Sequence, residues 1–282
     1  KADLTNTTLT TTVFSTTAAG VVTAANLTSA ILTSADLNGR DLTGVDFEKA
    51  DLSGANLTNA NLIKADLTGA NLGVKLHASG DVSLNVNTNL VGADLTGAIL
   101  KDADLASAIL VNDTVGSKAA NLEKADLTGA DLSATVFSVT HSVTDVVTAT
   151  NLTSATLTSA NLSGRDLTSV DFEKAVLSGA DLTGADLENA ILTGAQLNTD
   201  GTNTVKLMGA ILTNAKLIKA DLTGADLGKN PAGTATNLVG ADLTGAILIN
   251  ADLEGAILVD ALVNADGVGS KGANLEKADL TG

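Results

Sequence analysis

The chain has 282 residues, a net charge of −16, no cysteine and 1 % aromatic residues. The charge argues against binding to a phosphate backbone and for solubility or a cationic partner, and the missing cysteines exclude disulfides, thiolate metal sites and a cysteine nucleophile. Four Phe, no Trp and no Tyr are too few for an ordinary core of this size, so the interior must be narrow and filled with Leu and Ala.

From Lys1 onward a large apolar residue falls at every fifth position, first at Leu4, Leu9 and Phe14. A break, STTAAGVVT, precedes the longest run, Ala25 to Val74, whose centres are Leu27, Leu32, Leu37, Leu42, Phe47, Leu52, Leu57, Leu62, Leu67 and Leu72. After GVKLHASGDVSLNVNT the centres return at Leu90, Leu95, Leu100, Leu105 and Leu110, and after VNDTVGSKA at Leu122. Ala stands two before most centres and Asp or Asn one before. A period of five fits neither a helix, which wants 3.6, nor a strand, which wants 2. The breaks are rich in Gly, Thr, Asn and Ser and read as loops.

The second half repeats the first. KADLTGADLSATVFS at 124–138 aligns with KADLTNTTLTTTVFS at 1–15, VDFEKA recurs at 45–50 and 170–175, and TNLVGADLTGAIL at 88–100 and 236–248. The copies span 1–123 and 124–276, with a third beginning at 277–282; the extra length of the second lies between the repeats at Leu187 and Leu217. In all, 44 centres account for 220 of the 282 residues, so the fold must grow by adding units and not by enlarging a globular core. These 282 residues show no signal-peptide pattern and no apolar run of membrane-spanning length, and any targeting segment is expected outside them. The chain starts and stops within a repeat, and the expectation is a segment of a longer array.

The motif A(D/N)LXX resembles that of the pentapeptide-repeat family over nearly the whole chain. The resemblance implies an all-β fold, a right-handed quadrilateral parallel β-helix with short loop insertions, running as one continuous solenoid with four repeats to a coil of about 20 residues. Coils stacked at about 4.8 Å would build a rod on the order of 65 Å from roughly 14 coils. The centre fills the axis, Ala fits the corner and the other three positions face out. Residues 20 apart then stack: Asp36 over Asn56, Asp41 over Asn61, Asp51 over Asn71 and Asn161 over Asp181 pair Asn with Asp, while Asp46 over Asp66 and Asp166 over Asp186 set like charges together.

Few residues invite a chemical role. The carboxylate columns offer Ca²⁺ oxygen ligands, but the Gly-Gly-x-Gly-x-Asp calcium motif is absent, so they read as a solvated acidic face and no cofactor or metal is expected. Arg40 and Arg165, the two arginines, stand at inward corners where Ala is the rule; either they contact an anion or partner, or the corner bulges so that the guanidinium reaches a neighbouring Asp or carbonyl, which is the reading preferred here. His77 and His141 sit in different breaks without a triad or zinc spacing and read as loop residues at solvent. Val91, Ile109 and Val111, matched by Val239, Ile257 and Val259 in the second copy, are outward apolar positions: either a self-association patch, or residues covered by the breaks that follow them.

No phosphate loop, nucleophile elbow or paired carboxylates in a cleft occur, and no enzyme activity is expected. The function expected is a structural one, a rod, fibre or cell-surface layer assembling with copies of itself, with no nucleic-acid partner and no membrane span, outside or on the surface of a microbial cell, with the cytoplasm as the alternative location. The alternative is an interaction protein that mimics DNA, as in the gyrase-inhibiting quinolone-resistance proteins of the same family. That reading fits the acidity, but the chain lacks their dimerising C-terminal element.

Overall fold

The computed structural model describes all residues except 1–2, 6, 8–13, 19–20, 80–82, 84, 113, 115–116, 141–146, 199–202, 259–271 and 282, and except the side chains of 16–18, 21 and 22. His141 and Val259 therefore lie outside the described residues. Among those described there is no α-helix; the named strands are β1 (Ser15–Ala18), β2 (Val21–Ala24), β3 (Ser138–Thr140) and β4 (Val147–Ala149). The rest of the β-structure consists of single-residue bridges, almost all parallel.

One repeat shows why five residues close one side of the coil. In 65–69 the Ala65 N–H donates to Leu62 O across a turn, Asp66 N–H donates back to Val45 O in the preceding coil, and Leu67 and Gly69 N–H donate forward to Ile99 O and Lys101 O in the next. The fifth donor, Thr68 N–H, has no carbonyl in reach and bonds to Asp66 Oδ1 at 3.0 Å. Asp or Asn before the centre thus completes the accounting that a folded backbone requires. The same side-chain bond recurs at Asn26, Asp41, Asn56, Asp94, Asp126, Asn161 and Asp221. Thr after the centre reinforces it, its hydroxyl donating to the same oxygen, as in Thr43 to Asp41 at 2.6 Å. Two residues after the centre the backbone takes a positive φ, +61° at Gly69 but also +56° at Lys49, the value a type II turn needs at its third residue.

Bridges join residues 20 apart in uninterrupted runs: Asp36 to Asn56, Asp41 to Asn61 and Asp51 to Asn71 in one unit, Asn161 to Asp181 in the other. Four turns therefore make one coil. The centres face inward and most are fully buried, including Phe47, Leu62, Leu67, Phe172 and Leu217, with Ala50, Ala65 and Ala175 beside them. Each buried centre contributes about 1.5–3 kcal/mol. The chain divides into two compact units, Lys1–Asn151 and Leu152–Gly282. This division differs from the sequence boundary at 123/124, because the second copy's opening repeats ladder onto the coil before them, Ile99 with Asp126 and Asp104 with Asp131.

The breaks are inserted into coils without interrupting the axis. In the first unit Asn56 bridges Asn89, Asp94 bridges Asn121 and Asn121 bridges Asn151; in the second Asp181 bridges Lys206, Ile211 bridges Asn237 and Asp242 bridges Asn274. Two breaks are antiparallel hairpins, β1 with β2 and β3 with β4, where the sequence reads as loop. Two others are spliced by a buried threonine at the corner where the chain re-enters. Thr88 Oγ1 accepts from Gly54 N–H at 2.9 Å and lies 2.9 Å from Gly73 O, which Gly54 N–H itself meets only at 3.3 Å. Thr236 repeats this with Gly209 N–H at 3.0 Å and Gly228 O at 2.9 Å. Thr88→Val or Thr236→Val keeps the shape and removes these bonds, so each is expected to lower the unfolding free energy by about 1–3 kcal/mol, read by urea denaturation.

Candidate functional site

The axis offers nothing to a ligand, since Leu and Ala fill it. What remains is surface. Asp and Asn side chains run up the coil in columns, and where Asn meets Asp the amide bridges the coils: Asn26 Nδ2 donates to Asp46 Oδ2 at 2.8 Å, Asn56 Nδ2 to Asp36 Oδ1 at 3.0 Å and Asn274 Nδ2 to Asp242 Oδ1 at 3.2 Å. Asp46 does stack on Asp66 and Asp166 on Asp186; insertions add Asp104 on Asp131 and Asp226 on Asp252. No group of three or more His, Cys, Asp or Glu among the described residues is arranged to hold a metal ion.

Several carboxylates are held below their ordinary range. At Asp41 the Thr43 hydroxyl leads. At Asp126 burial pulls the carboxyl up, but Thr128 and Lys101 outweigh it. At Asp181 and Asp221 burial is likewise outweighed, by Thr183 with Lys206 and by Thr223 with Asn198. The two lysines form exposed ion pairs, Lys101 with Asp126 at 3.2 Å and Lys206 with Asp181 at 3.4 Å.

The outward apolar positions differ in their exposure. Val91 and Val111 are 4 % and 1 % exposed. The inserted segment closes over Val91: Asn112, Thr114, Ser117 and Lys118 form with Thr58, Asn59 and Val91 a groove of about 340 Å³. This is the second of the two readings, and it leaves Val91 and Val111 unavailable to a partner. Ile109 and Val239 are half-buried, and Ile257 is exposed. Ile257 shares a column with exposed Ile211, two coils away through Asn237.

Arg40 and Arg165 keep the regular corner, Asn61 N–H bonding to Arg40 O and Asp186 N–H to Arg165 O, both at 2.8 Å. The side chains turn outward and back, so that Nε donates to Asn38 O at 3.3 Å and to Ser163 O at 3.1 Å. No bulge is needed. His77 is exposed, its Nδ1 2.7 Å from Ser79 Oγ, in the inserted loop that also exposes Leu76 and Val86. A second groove, about 470 Å³, is lined by Met208, Asp226, Gly228, Lys229, Asp252, Glu254 and Gly255. Sequence reasoning missed it because it arises from an insertion that sets Asp226 on Asp252. No helix among the described residues is long and apolar enough to cross a membrane.

The sequence pattern of the pentapeptide repeats, in 8 copies, matches residues 41–73, 86–112, 118–138, 148–173, 166–198, 205–228 and 234–262. The chain belongs to the pentapeptide-repeat family. Among solved structures this pentapeptide-repeat protein is similar to HetL, a pentapeptide repeat protein involved in heterocyst differentiation regulation from the cyanobacterium Nostoc sp. strain PCC 7120. That match has 35 % identity over 86 % of this chain and 91 % of that one, with a TM-score of 0.45. It is also similar to full-length QnrB1, a plasmid-mediated fluoroquinolone resistance protein, with 16 % identity over 91 % and 92 % of the chains and a TM-score of 0.35. A thylakoid-lumen pentapeptide repeat protein of Arabidopsis thaliana shares 23 % identity over 57 % and 68 %, with a TM-score of 0.16. No curated protein matches the chain.

Proposed function

We propose that this chain is a non-enzymatic structural protein that acts through its outer faces and self-associates into a rod, fibre or layer. The observation that carries the reading is the nested repeat. The same devices recur in both copies at matched positions, inside the coil in Thr88 with Thr236 and at its outer corners in Arg40 with Arg165, and an array of equivalent contacts requires such matched outer positions. A filled axis gives such a protein stiffness and no substrate cleft. The absence of cysteine and the poverty of aromatics support, in this reading, a location outside a microbial cell. Light scattering and electron microscopy of the purified protein test it: concentration-dependent filaments or sheets are expected, and a monodisperse monomer at all concentrations overturns it.

The net charge of −16 and the carboxylate columns favour a second reading, an acidic mimic of DNA acting on gyrase. Its test is a supercoiling assay. Inhibition at micromolar protein supports the mimic, and unimpeded supercoiling removes it.

A further inference from the structure

We propose that copies of this chain associate side by side through charge, the lysine-bearing face of the second unit meeting an aspartate-bearing face of the first unit of a neighbouring copy. This assigns a surface to the self-association read above and rests on that reading.

The lysine row lies two residues after the centre. Lys174, Gly194, Lys219, Gly245 and Lys277 occupy that position in successive coils, tied by the ladder bonds Lys174 N–H to Thr193 O, Gly194 N–H to Ile218 O, Lys219 N–H to Thr244 O and Gly245 N–H to Glu276 O. A lysine therefore comes at every second coil, about 10 Å apart at the spacing of paired strands. The glycines between are what the stems lie on: Lys174 Cγ and Lys219 Cγ pass 3.6 and 3.7 Å from where a Cβ of Gly194 and Gly245 would stand. Lys174 and Lys277 each pair with the glutamate before them. Lys219, and Lys216 three residues earlier in the same repeat, are exposed and have no ion-pair partner among the described residues.

The aspartate row lies one residue before the centre in the first unit. Asp3, Ile31, Asp51, Asn71, Asp104 and Asp131 are bridged in succession. From Asp3 to Asp104 an aspartate comes at every second coil, and Asp131 adds one more. Ser53 and Gly73 are buried beside the inserted loop, whereas Asp104 and Asp131 are exposed and flanked by the small side chains of Ala106 and Ser133, so the row is open to approach at that end. Oδ1 of Asp104 and Asp131 is occupied by the N–H of Ala106 and Ser133, and neither carboxylate has an ion-pair partner among the described residues. Lys75 of the inserted loop stands at the edge of this face beside Gly54.

The same β-ladder sets the spacing of both rows, and the unpaired cations Lys216 and Lys219 are the ones that meet the exposed carboxylates of Asp104 and Asp131. The chain as a whole repels its copies at −16, which restricts contact to the face where cations are exposed. Attraction of this kind is screened within about 8 Å at physiological salt.

Two charge reversals test the assignment on the full chain: Lys216→Glu with Lys219→Glu, and Asp104→Lys with Asp131→Lys. Lys already stands one before the centre at Lys206 and Lys216, so the fold accommodates the second pair. Association is read by sedimentation velocity at about 20 mM and about 500 mM salt, with circular dichroism to check folding. The proposal expects wild-type association at low salt only, association about tenfold or more weaker in each variant alone, and its recovery when the two variants are mixed, which damage to the fold would not give. Wild-type association that ignores both salt and the reversals overturns the proposal and leaves self-association to another face. Absence of wild-type association under every condition overturns self-association itself.

Discussion

Leu62→Ala is expected to lower the unfolding free energy by about 2–5 kcal/mol, toward the upper part of that range. Leu62 is wholly buried, stacked between the coils of Leu42 and Leu95 through Leu42 N–H to Asn61 O and Leu62 N–H to Asp94 O. The usual relief for a deleted side chain is collapse of the surroundings into the cavity. Here collapse is blocked, because the walls are ladder-bonded backbone whose spacing cannot shrink. Repeats contact only their neighbours, so the weakened coil is also expected to divide the cooperative transition and to reduce the urea slope. Leu280→Ala is the internal comparison: Leu280 is 56 % exposed, and the same chemical change there is expected to cost under about 1 kcal/mol. Urea denaturation followed by circular dichroism measures both. Equal losses at the two positions would show that the axis does not hold the coil together.

The second large effect is acid lability. The carboxyls of Asp41, Asp126, Asp181 and Asp221 are depressed in the folded protein, against about 3.9 in an unfolded chain. A depressed folded value means that these groups contribute stability above the unfolded value, and that it is lost as pH falls through the folded one. Protonation also compromises the Oδ1 that accepts a backbone N–H and a Thr hydroxyl, and many repeats share this device. The midpoint of urea unfolding is therefore expected to be roughly flat from pH 7 to pH 5 and to drop steeply below about pH 4. Asp221→Asn keeps an amide oxygen for Thr223 and removes the titration, so its midpoint should fall less between pH 5 and pH 3 than that of the wild type. A wild-type midpoint that rises in acid would overturn this account.

Much of this was readable in the sequence because one side chain in five repeats one job. Leu62 and Ala65 announce the axis and the corner by spacing alone, and within an unbroken run a separation of 20 residues places Asp36 beneath Asn56. Spacing fails where a break intervenes. Asn56 meets Asn89 and Asp181 meets Lys206, and nothing in a loop's composition states how many residues leave the coil before it closes. That Val91 is covered depends on the path of a loop, which no periodicity encodes. The Asp column was legible as a ladder, but its first role is to accept the N–H of its own turn; the Asp-Leu-Thr spelling carried that signal, an Asx residue two before a backbone donor. Thr88 at an Ala position carried another, since a polar residue at a buried corner needs partners that a break would leave over.

The coil counts repeats and tolerates added loop at its corners, and this has a consequence for how the gene can change. Deleting or duplicating five residues turns every downstream side chain one side around the axis, so a row of charges is carried to a different direction. Deleting or duplicating twenty changes the length and turns nothing. Lengthening a loop at a corner, as between Asn71 and Asp104, also turns nothing. Lineages of this protein should therefore drift freely in loop length, gain and lose repeats in fours, and change direction only through rarer single-repeat events, each of which re-aims the whole remainder of the molecule at once.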